Sequence, residues 1–340
     1  MPDRVLVLRT DRLGDVLLSL PIAGALKRHD PQIRVCYGVG GYPAPVLTIA
    51  DGVDEVIEFD ERNRHTWESM MAAGKFSAAV FAFPRPDLAL AARRAGIPVR
   101  IGTGYRWYSY RFTHRHFEHR KSADSHEAQY NVNLLKQLGV VVDEPPFPRL
   151  TIGSRHRERA RALLRDAGVD PDKFIVLHPG SGKSAPAWTA PGFRKLAALV
   201  AERLPAVRML VTGTKKEEAM MREVVAGGCG NAFPLLPPVD LVTLAAVFSL
   251  ASVFIGNSTG PLHLAAASGT AVVGIYPALE GVTGARRWAP LTTRAGIICP
   301  PSSEMSDIRA ESVFRAVRDL MNGTEQPFDP YHPGNRIAGE

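Results

Sequence analysis

Short apolar, β-branched runs alternate with helical segments along most of this sequence, and the alternation starts twice. In the first half the runs are RVLVLR (4–9), IRVCYGV (33–39), VDEVIEF (53–59) and SAAVFAF (77–83). In the second half they are KFIVLHPG (173–180), VRMLVTG (207–213), ASVFIGN (251–257) and TAVVGIYP (270–277). Strands that alternate with helices are typical of mainly parallel sheets. The sequence therefore predicts an α/β protein with two similar halves.

A proline-rich stretch separates the two halves. VVDEPPFPRL (141–150) holds three prolines in ten residues, which favours a linker. We predict one domain at 1–145, a second at 150–325 and a polar tail at 326–340. Two domains joined in this way are expected to leave a cleft, and such clefts favour ligand sites.

Charge and cysteine content narrow the class of protein. The formal net charge of +7 favours anionic partners, without choosing between a nucleotide, nucleic acid and a membrane surface. The three cysteines lie far apart, which predicts neither a disulfide framework nor a zinc site. No segment reaches about 18 uninterrupted apolar residues. We expect a cytoplasmic protein, and contact with the inner face of a membrane stays open.

The segment HPGSGKSAPAW (178–188) contains GKS, the end of the ATP-binding phosphate loop. That loop requires a glycine five positions before Gly182, where this chain has Leu177. Pro186 follows Ser184 by two positions, where the loop should enter a helix that needs its N–H groups. The segment is therefore not an ATPase loop, and another route to phosphate binding stays open.

FIGNSTGPLHLAAASGTAVVGIYP (254–277) gives the strongest local signal. A buried strand ends at Gly256, and an Ala-rich helix begins near Thr259 with Pro261 in its first turn. Free amides at this helix start would bind an anion at the carboxyl edge of the sheet. The amides expected to be free are those of Thr259, Gly260 and Leu262. An ordinary corner with Ser258 or Thr259 as N-cap is equally consistent with the pattern.

RTDRLGDVLLSLP (9–21) places charged residues where the first strand meets its helix. Asp15 at the helix start is a candidate general base, or simply a first-turn carboxylate. For Asp11 and Arg12 taken singly, surface charge is the favoured interpretation.

Four segments, VLVLRTDRLGDVLLSLP, HPGSGKSAPAW, VTGTKKE and GNSTGPLHLAAASGTAVVGIY, occur in this order and resemble the heptosyltransferase-type enzymes of glycosyltransferase family 9. The resemblance covers residues 4 to about 320. It implies the GT-B fold, two Rossmann-like domains that face each other across a cleft. It also implies inverting transfer without metal or cofactor, with the acceptor in the N-terminal domain and the nucleotide sugar in the C-terminal one. The typical reaction moves heptose from ADP-heptose to the inner core of lipopolysaccharide.

The same resemblance implies roles for individual residues. Asp15 matches the general base, Glu217 the ribose contact and Val239 the adenine contact. The positions that match contacts to the diphosphate and donor sugar are Ser181, Gly182, Lys183, Ser258, Thr259, Gly260 and His263. For His263, donation to phosphate and a satisfied histidine on the inner helix face both stay open.

Two positions depart from the family pattern. Many relatives carry Asp at the position of Ser258 and Lys at that of Pro186. Two alternatives therefore stay open: an enzyme of the same architecture that uses a UDP- or GDP-linked sugar, such as a transferase or an epimerase, or a non-catalytic relative that binds nucleotide or glycolipid.

The segment 100–121 has six Lys or Arg, one acid and six aromatic residues. Such a surface suits a phosphorylated glycolipid and an anionic membrane face. Single-stranded nucleic acid would need similar residues, but no nucleic-acid module accompanies them. We predict a glycolipid or oligosaccharide acceptor and no nucleic acid. The predicted acceptor-binding residues are Arg12, Arg106, Arg111, Arg115 and Arg120.

Overall fold

A computed structural model describes residues 2–182, 185–235 and 238–323. Two predictions fall outside the described residues: the donor contact of Lys183 and the polar tail at 326–340. The chain divides into two compact units. The first, the N-terminal unit, comprises Met1–Lys121 and Glu127–Thr151. The second, the C-terminal unit, comprises Ser122–His126 and Ile152–Glu340.

The N-terminal unit is built on a six-stranded sheet whose neighbouring strands are all parallel. Its strands are β1 (Arg4–Leu8), β2 (Arg34–Val39), β3 (Glu55–Glu58), β4 (Ala78–Phe81), β5 (Val99–Thr103) and β6 (His114–His116). Its α-helices are α1 (Leu13–Leu17), α2 (Pro21–His29), α3 (Ala44–Leu47), α4 (Trp67–Ala73), α5 (Pro86–Arg94) and α6 (Glu127–Val132). Short 3-10 helices cover Glu61–Thr66, Ser109–Arg111 and Asn133–Leu138.

The C-terminal unit repeats this plan with a second parallel six-stranded sheet. Its strands are β7 (Phe174–His178), β8 (Arg208–Val211), β9 (Ala232–Pro234), β10 (Val253–Asn257), β11 (Ala271–Ile275) and β12 (Ala295–Ile298). Its α-helices are α7 (Ser154–Asp166), α8 (Ala190–Arg203), α9 (Glu218–Gly227), α10 (Leu241–Leu250), α11 (Gly260–Ala267), α12 (Ala285–Trp288) and α13 (Ala310–Met321). Two 3-10 helices cover Lys215–Glu217 and Met305–Asp307.

Both sheets have the strand order of a Rossmann fold. The first runs β3-β2-β1-β4-β5-β6 and the second β12-β11-β10-β7-β8-β9. The order reverses between β1 and β4 in one sheet and between β7 and β10 in the other. At such a switch point the loops that leave the two strands diverge and open a crevice at the carboxyl edge. Each unit therefore has one favoured position for a ligand.

Continuous apolar runs predicted the strands because parallel sheets are covered on both faces. Every residue of β7, β10 and β11 is buried. The helices differ in detail. The helical stretch after β1 is broken before Pro21, which begins α2. Helix α6 continues as a 3-10 helix after Val132 and ends at Gly139, whose φ of +77° suits glycine.

No helix in the described part of the chain combines the length and apolar character needed to cross a membrane.

Candidate functional site

Three neighbouring strands of the C-terminal unit bring the predicted donor residues to one edge. In the register, Gly256 of β10 pairs with His178 of β7, and Leu177 pairs with Val211 of β8. Because parallel strands end on the same side, the segments that follow them start from a common edge. These segments carry Ser181 and Gly182 after β7, Glu217 after β8, and Ser258, Thr259 and Gly260 after β10.

Glu217 ties the loop after β7 to the segment after β8. Its Oε1 accepts a hydrogen bond from the backbone N–H of Ser181 at 3.2 Å. Its Oε2 accepts from both the backbone N–H and the hydroxyl of Thr214, each at 2.8 Å, in a capping box. A Cβ at Gly180 would press on the Glu217 carboxylate and push it away from the Ser181 amide. The structure therefore brings Ser181 and Glu217 into direct contact.

Asn257 fixes both ends of the same loop, a role that was not predicted from the sequence. Its buried side chain donates to the carbonyls of Pro179 at 3.1 Å and Trp188 at 3.2 Å. Its Oδ1 accepts from the Trp188 amide at 2.8 Å. An asparagine that ends an entirely apolar strand must satisfy its amide inside the protein. That requirement was the available signal, but it does not name the partners.

At the start of α11, the side chains leave the helix uncapped. Thr259 is the N-cap, but its hydroxyl donates to the carbonyl of Asn257 at 3.2 Å and makes no cap hydrogen bond. The free amide expected at Leu262 was wrong, because this N–H donates to the Thr259 carbonyl at 3.1 Å in a tight first turn. The amides of Thr259 and Gly260 meet no acceptor in the part of the chain that the structure describes.

His263 lies on the inner face of α11 and is buried, yet its Nδ1 has no hydrogen-bond partner among the described residues. Donation to phosphate and a satisfied histidine on the inner helix face both stay predictions for this residue. Burial lowers the pKa of His263 to about 3, and repulsion from His126 adds to the effect. His126 itself donates from Nε2 to the carbonyl of Ala289 at 2.9 Å. The imidazole of His263 is neutral at physiological pH.

A second buried histidine, His178, ends β7 at the same edge. Its Nδ1 lies 3.0 Å from the hydroxyl of Thr212. Burial lowers the pKa of His178 to about 4, although the charge of Glu217 opposes the fall. No role for this residue was predicted from the sequence.

The other predicted donor residues lie around this edge. Ser258 is half-buried, and its amide donates to the Ile275 carbonyl at 3.1 Å. Val239 is half-buried and precedes Asp240, the N-cap of α10. Gly182 is exposed, and a Cβ placed on it would meet no atom of the described residues within 4 Å.

In the N-terminal unit, the buried guanidinium of Arg9 forms ion pairs with Asp11 and Asp15, the two acidic residues that follow β1. Its Nε donates to Asp11 Oδ1 at 2.8 Å, and its Nη2 donates to Asp15 Oδ1 at 2.7 Å. Burial raises the pKa of the Asp11 carboxyl to about 6, against the attraction of Arg9 and with help from the charge of Asp15. The predicted base therefore belongs to a cluster rather than standing alone.

The far side of Arg9 is anchored at the switch point of the first sheet. Its Nη1 donates to the Ala82 carbonyl, directly after β4, at 3.1 Å. The same nitrogen lies 3.3 Å from both Glu127 Oε1 and Asn131 Oδ1. Arg120, predicted to bind acceptor, donates to Glu127 Oε1 at 2.9 Å. Arg120 is thus part of the support for Arg9.

The remaining predicted acceptor arginines lie on or near the surface. Arg12, Arg106 and Arg115 are exposed. The guanidinium of Arg111 lies over the rings of Trp107 and Tyr110, with its carbon 5.5 and 5.4 Å from the ring centres. Trp107 is 74% exposed. Segment 100–121 therefore exposes aromatic and basic side chains to solvent on the same stretch of chain.

Within the described ranges, no three His, Cys, Asp or Glu side chains come together as a metal site would require.

Residues 87–317, more than half of the chain, match the family model for glycosyltransferase family 9 (heptosyltransferase). The chain belongs to this family and is a glycosyltransferase.

Two relatives match over most of their length. A Haemophilus influenzae protein named "Putative glycosyltransferase" is 26% identical, with 92% of this chain and 93% of the relative covered. Lipopolysaccharide heptosyltransferase 3 of Escherichia coli is 22% identical, with 79% of this chain and 82% of the relative covered.

Solved structures confirm the predicted α/β GT-B fold. A family 9 glycosyltransferase from Veillonella parvula superposes with a TM-score of 0.82 at 21% identity, covering 94% of this chain and 97% of that one. The E. coli ADP-heptose lipopolysaccharide heptosyltransferase II gives a TM-score of 0.79 at 16% identity, covering 94% and 99%.

Proposed function

We propose that this protein is an inverting glycosyltransferase that moves heptose from ADP-heptose to a lipopolysaccharide core or related glycan. The observation that carries the proposal is the meeting of Ser181, Glu217 and the start of α11 at the switch-point edge of the second sheet. The relatives named above support heptose, ADP and lipopolysaccharide as the chemistry. The reaction needs no cofactor or metal in this proposal.

The start of α11 is the proposed binding site of the donor diphosphate. The amides of Thr259 and Gly260, which meet no acceptor among the described residues, and the positive end of the helix dipole favour an anion. Since Nδ1 of His263 is buried with no partner in the described part of the chain, the tautomer with its proton on Nε2 avoids burying an unpaired N–H. That Nε2–H is the proposed neutral donor to a phosphate oxygen. Gly182 and Lys183 complete the phosphate contacts, and Ser258 is proposed to meet the sugar.

Within the residues that the structure describes, Glu217 has one free hydrogen-bond acceptor site for the ribose contact that the family resemblance implies. An ionised carboxylate offers about four acceptor sites. Three accept from Ser181 and Thr214, and the one that is left belongs to Oε1. A ribose hydroxyl that donates there would be held by the same group that shapes the phosphate loop. Val239 is proposed to line the adenine.

Asp15 is the proposed general base of the N-terminal unit. Its Oδ1 is held by Arg9, while Oδ2 has no hydrogen-bond partner in the described ranges and can receive the proton of the acceptor hydroxyl. As that O–H bond breaks, the acceptor oxygen bonds to the anomeric carbon, and the bond to the diphosphate breaks on the opposite face. Inversion follows from this single displacement.

The basic and aromatic surface of segment 100–121 is the proposed acceptor contact. Arg106, Arg111 and Arg115 supply charge for a phosphorylated glycolipid, with Arg12 beside Asp11 in the chain. Exposed Trp107 suits the boundary between headgroups and water at a membrane surface. We propose a cytoplasmic protein that contacts the inner membrane peripherally and does not bind nucleic acid.

Calorimetric binding of ADP, ADP-heptose, UDP, UDP-GlcNAc and GDP-mannose tests the donor. We expect selective binding of the two ADP compounds, followed by transfer to lipopolysaccharide-core acceptors. Selective binding of UDP or GDP compounds would keep the reaction class and reject heptose from ADP-heptose. Donor binding without transfer to any core acceptor would instead favour a non-catalytic relative, and donor turnover without acceptor would favour an epimerase.

A further inference from the structure

Asp11 and Asp15 occupy the same edge of one guanidinium. Arg9 donates from Nε to Asp11 and from Nη2 to Asp15, at 2.8 and 2.7 Å. These two N–H groups form the fork that a single carboxylate commonly takes with both of its oxygens. Two carboxylates that share this fork lie side by side, each with one oxygen fixed on Arg9.

The surroundings restrict how much negative charge the pair can hold. Among the residues that the structure describes, the charged groups that face it are Arg9 and, behind Arg9, Glu127 of α6 with Arg120. Asn131 adds a neutral oxygen. With every group ionised, these five charged side chains carry one net negative charge. Two negative charges at a shared site repel each other. The Asp11–Asp15 pair therefore binds one proton more readily than an isolated aspartate would.

Resting on the proposed function, in which Asp15 takes the acceptor proton, we propose that Asp11 receives this proton from Asp15 and releases it to water. The acceptor O–H bond breaks as an O–H bond forms on Asp15. That bond breaks in turn as an O–H bond forms on Asp11, and water accepts the proton from Asp11. The proton released per glycoside formed is the one lost by the acceptor, so the sequence balances without another reactant.

The environment of Asp11 suits the receiving role. Its side chain keeps 17% of its surface exposed, which gives the proton a route to water. The pKa of about 6 lies close enough to neutral pH for the group to accept a proton and lose it again within one turnover.

Two measurements on the full chain test the relay. The first is a carboxyl ¹³C NMR titration of protein labelled at aspartate. One carboxyl should titrate near pH 6 in the wild type, disappear in Asp11→Asn and move to lower pH in Asp15→Asn. The second is the pH profile of kcat/KM. In Asp11→Asn its acidic limb should move to lower pH, and kcat at pH 7 should fall by about tenfold or more, less than in Asp15→Asn. Asp172→Asn, an exposed aspartate paired with Arg161, is the matched control and should change neither measurement.

The relay is wrong if the carboxyl near pH 6 persists in Asp11→Asn, or if that variant keeps the wild-type pH profile. A purely structural loss would lower activity equally at every pH and leave the limb in place. Failure of the proposed function looks different: Asp15→Asn would then transfer sugar at the wild-type rate. The NMR titration decides on the carboxylate pair in either case, because it needs no substrate.

Discussion

The carboxylate of Glu217 accepts a hydrogen bond from the backbone of Ser181 at 3.2 Å, although the two residues lie 36 positions apart. Its other oxygen is held by Thr214 through a capping box. One side chain thus connects the segments that leave β7 and β8. The shape of the proposed phosphate loop depends on a group that is also the proposed ribose contact, so loop order and nucleotide affinity should change together.

Replacement of Glu217 by Ala should weaken ADP binding by about tenfold to a hundredfold, since a hydrogen bond to a charged group contributes roughly 1.5–3 kcal/mol. Calorimetric titration with ADP measures this loss. Glu218→Ala removes a neighbouring surface carboxylate that pairs with Arg222 and should bind ADP normally. Gly180→Ala disturbs the same contact from the other side, because its Cβ would press on Oε1 of Glu217. Unchanged ADP affinity in both Glu217→Ala and Gly180→Ala would contradict this role.

Asn257→Ala should destabilise the protein by about 3 kcal/mol or more. It leaves the Pro179 carbonyl and both backbone polar groups of Trp188 buried without their partner, and each such group costs roughly 1–3 kcal/mol. Urea denaturation measures the free energy of unfolding. Asn322→Ala, at the exposed end of α13, is the control and should change it by less than about 0.5 kcal/mol. If Asn257→Ala does not fold, Asn257→Ser is the milder variant, because its hydroxyl can still make one of these hydrogen bonds, and its loss of stability should fall between those of the two alanine variants.

Asp15→Asn should lower kcat by about 10²–10⁴-fold, the contribution typical of a general base, while ADP-heptose binds with wild-type affinity. Asparagine keeps the size of the side chain but cannot take the proton. Steady-state transfer assays and calorimetry separate the two effects. Asp30→Asn, at the end of α2, serves as a control that should transfer normally. A wild-type rate in Asp15→Asn would reject Asp15 as the base.

The buried histidines of the C-terminal unit should make stability depend on pH. The pKa values of His178 and His263 lie near 4 and 3 in the folded protein, below the ordinary value of about 6.5. The unfolded chain therefore binds more protons, and stability present above pH 6.5 is lost as pH falls toward 4. The loss should approach about 1.4 kcal/mol per pH unit for each histidine.

Urea midpoints measured from pH 7.5 to pH 4.5 check this dependence. Replacing His178 or His263 with Gln should flatten the curve, whereas His65→Asn, which changes an exposed histidine, should leave its slope unchanged. A wild-type midpoint that stays constant over this range would show that neither histidine is held neutral by the fold.

The sequence by itself determined the fold class. Parallel strands that are buried on both faces appear in the sequence as continuous apolar runs, and a helical segment follows each of them. It also predicted which segments carry the candidate site, since motifs of glycine, proline and small polar residues mark the turns after β7, β8 and β10. A resemblance based on four such segments was enough to name the family.

Only the tertiary structure decided the partners of individual side chains. Asp11 was predicted to be surface charge, yet it shares Arg9 with Asp15, and Arg9 in turn meets Glu127, 118 positions away. Asn257 carried no predicted role and holds both ends of a loop from another strand. The physical reason is the same in each case. A local pattern sets backbone geometry, but a buried polar group is satisfied by whichever distant segment the folded sheet brings to it.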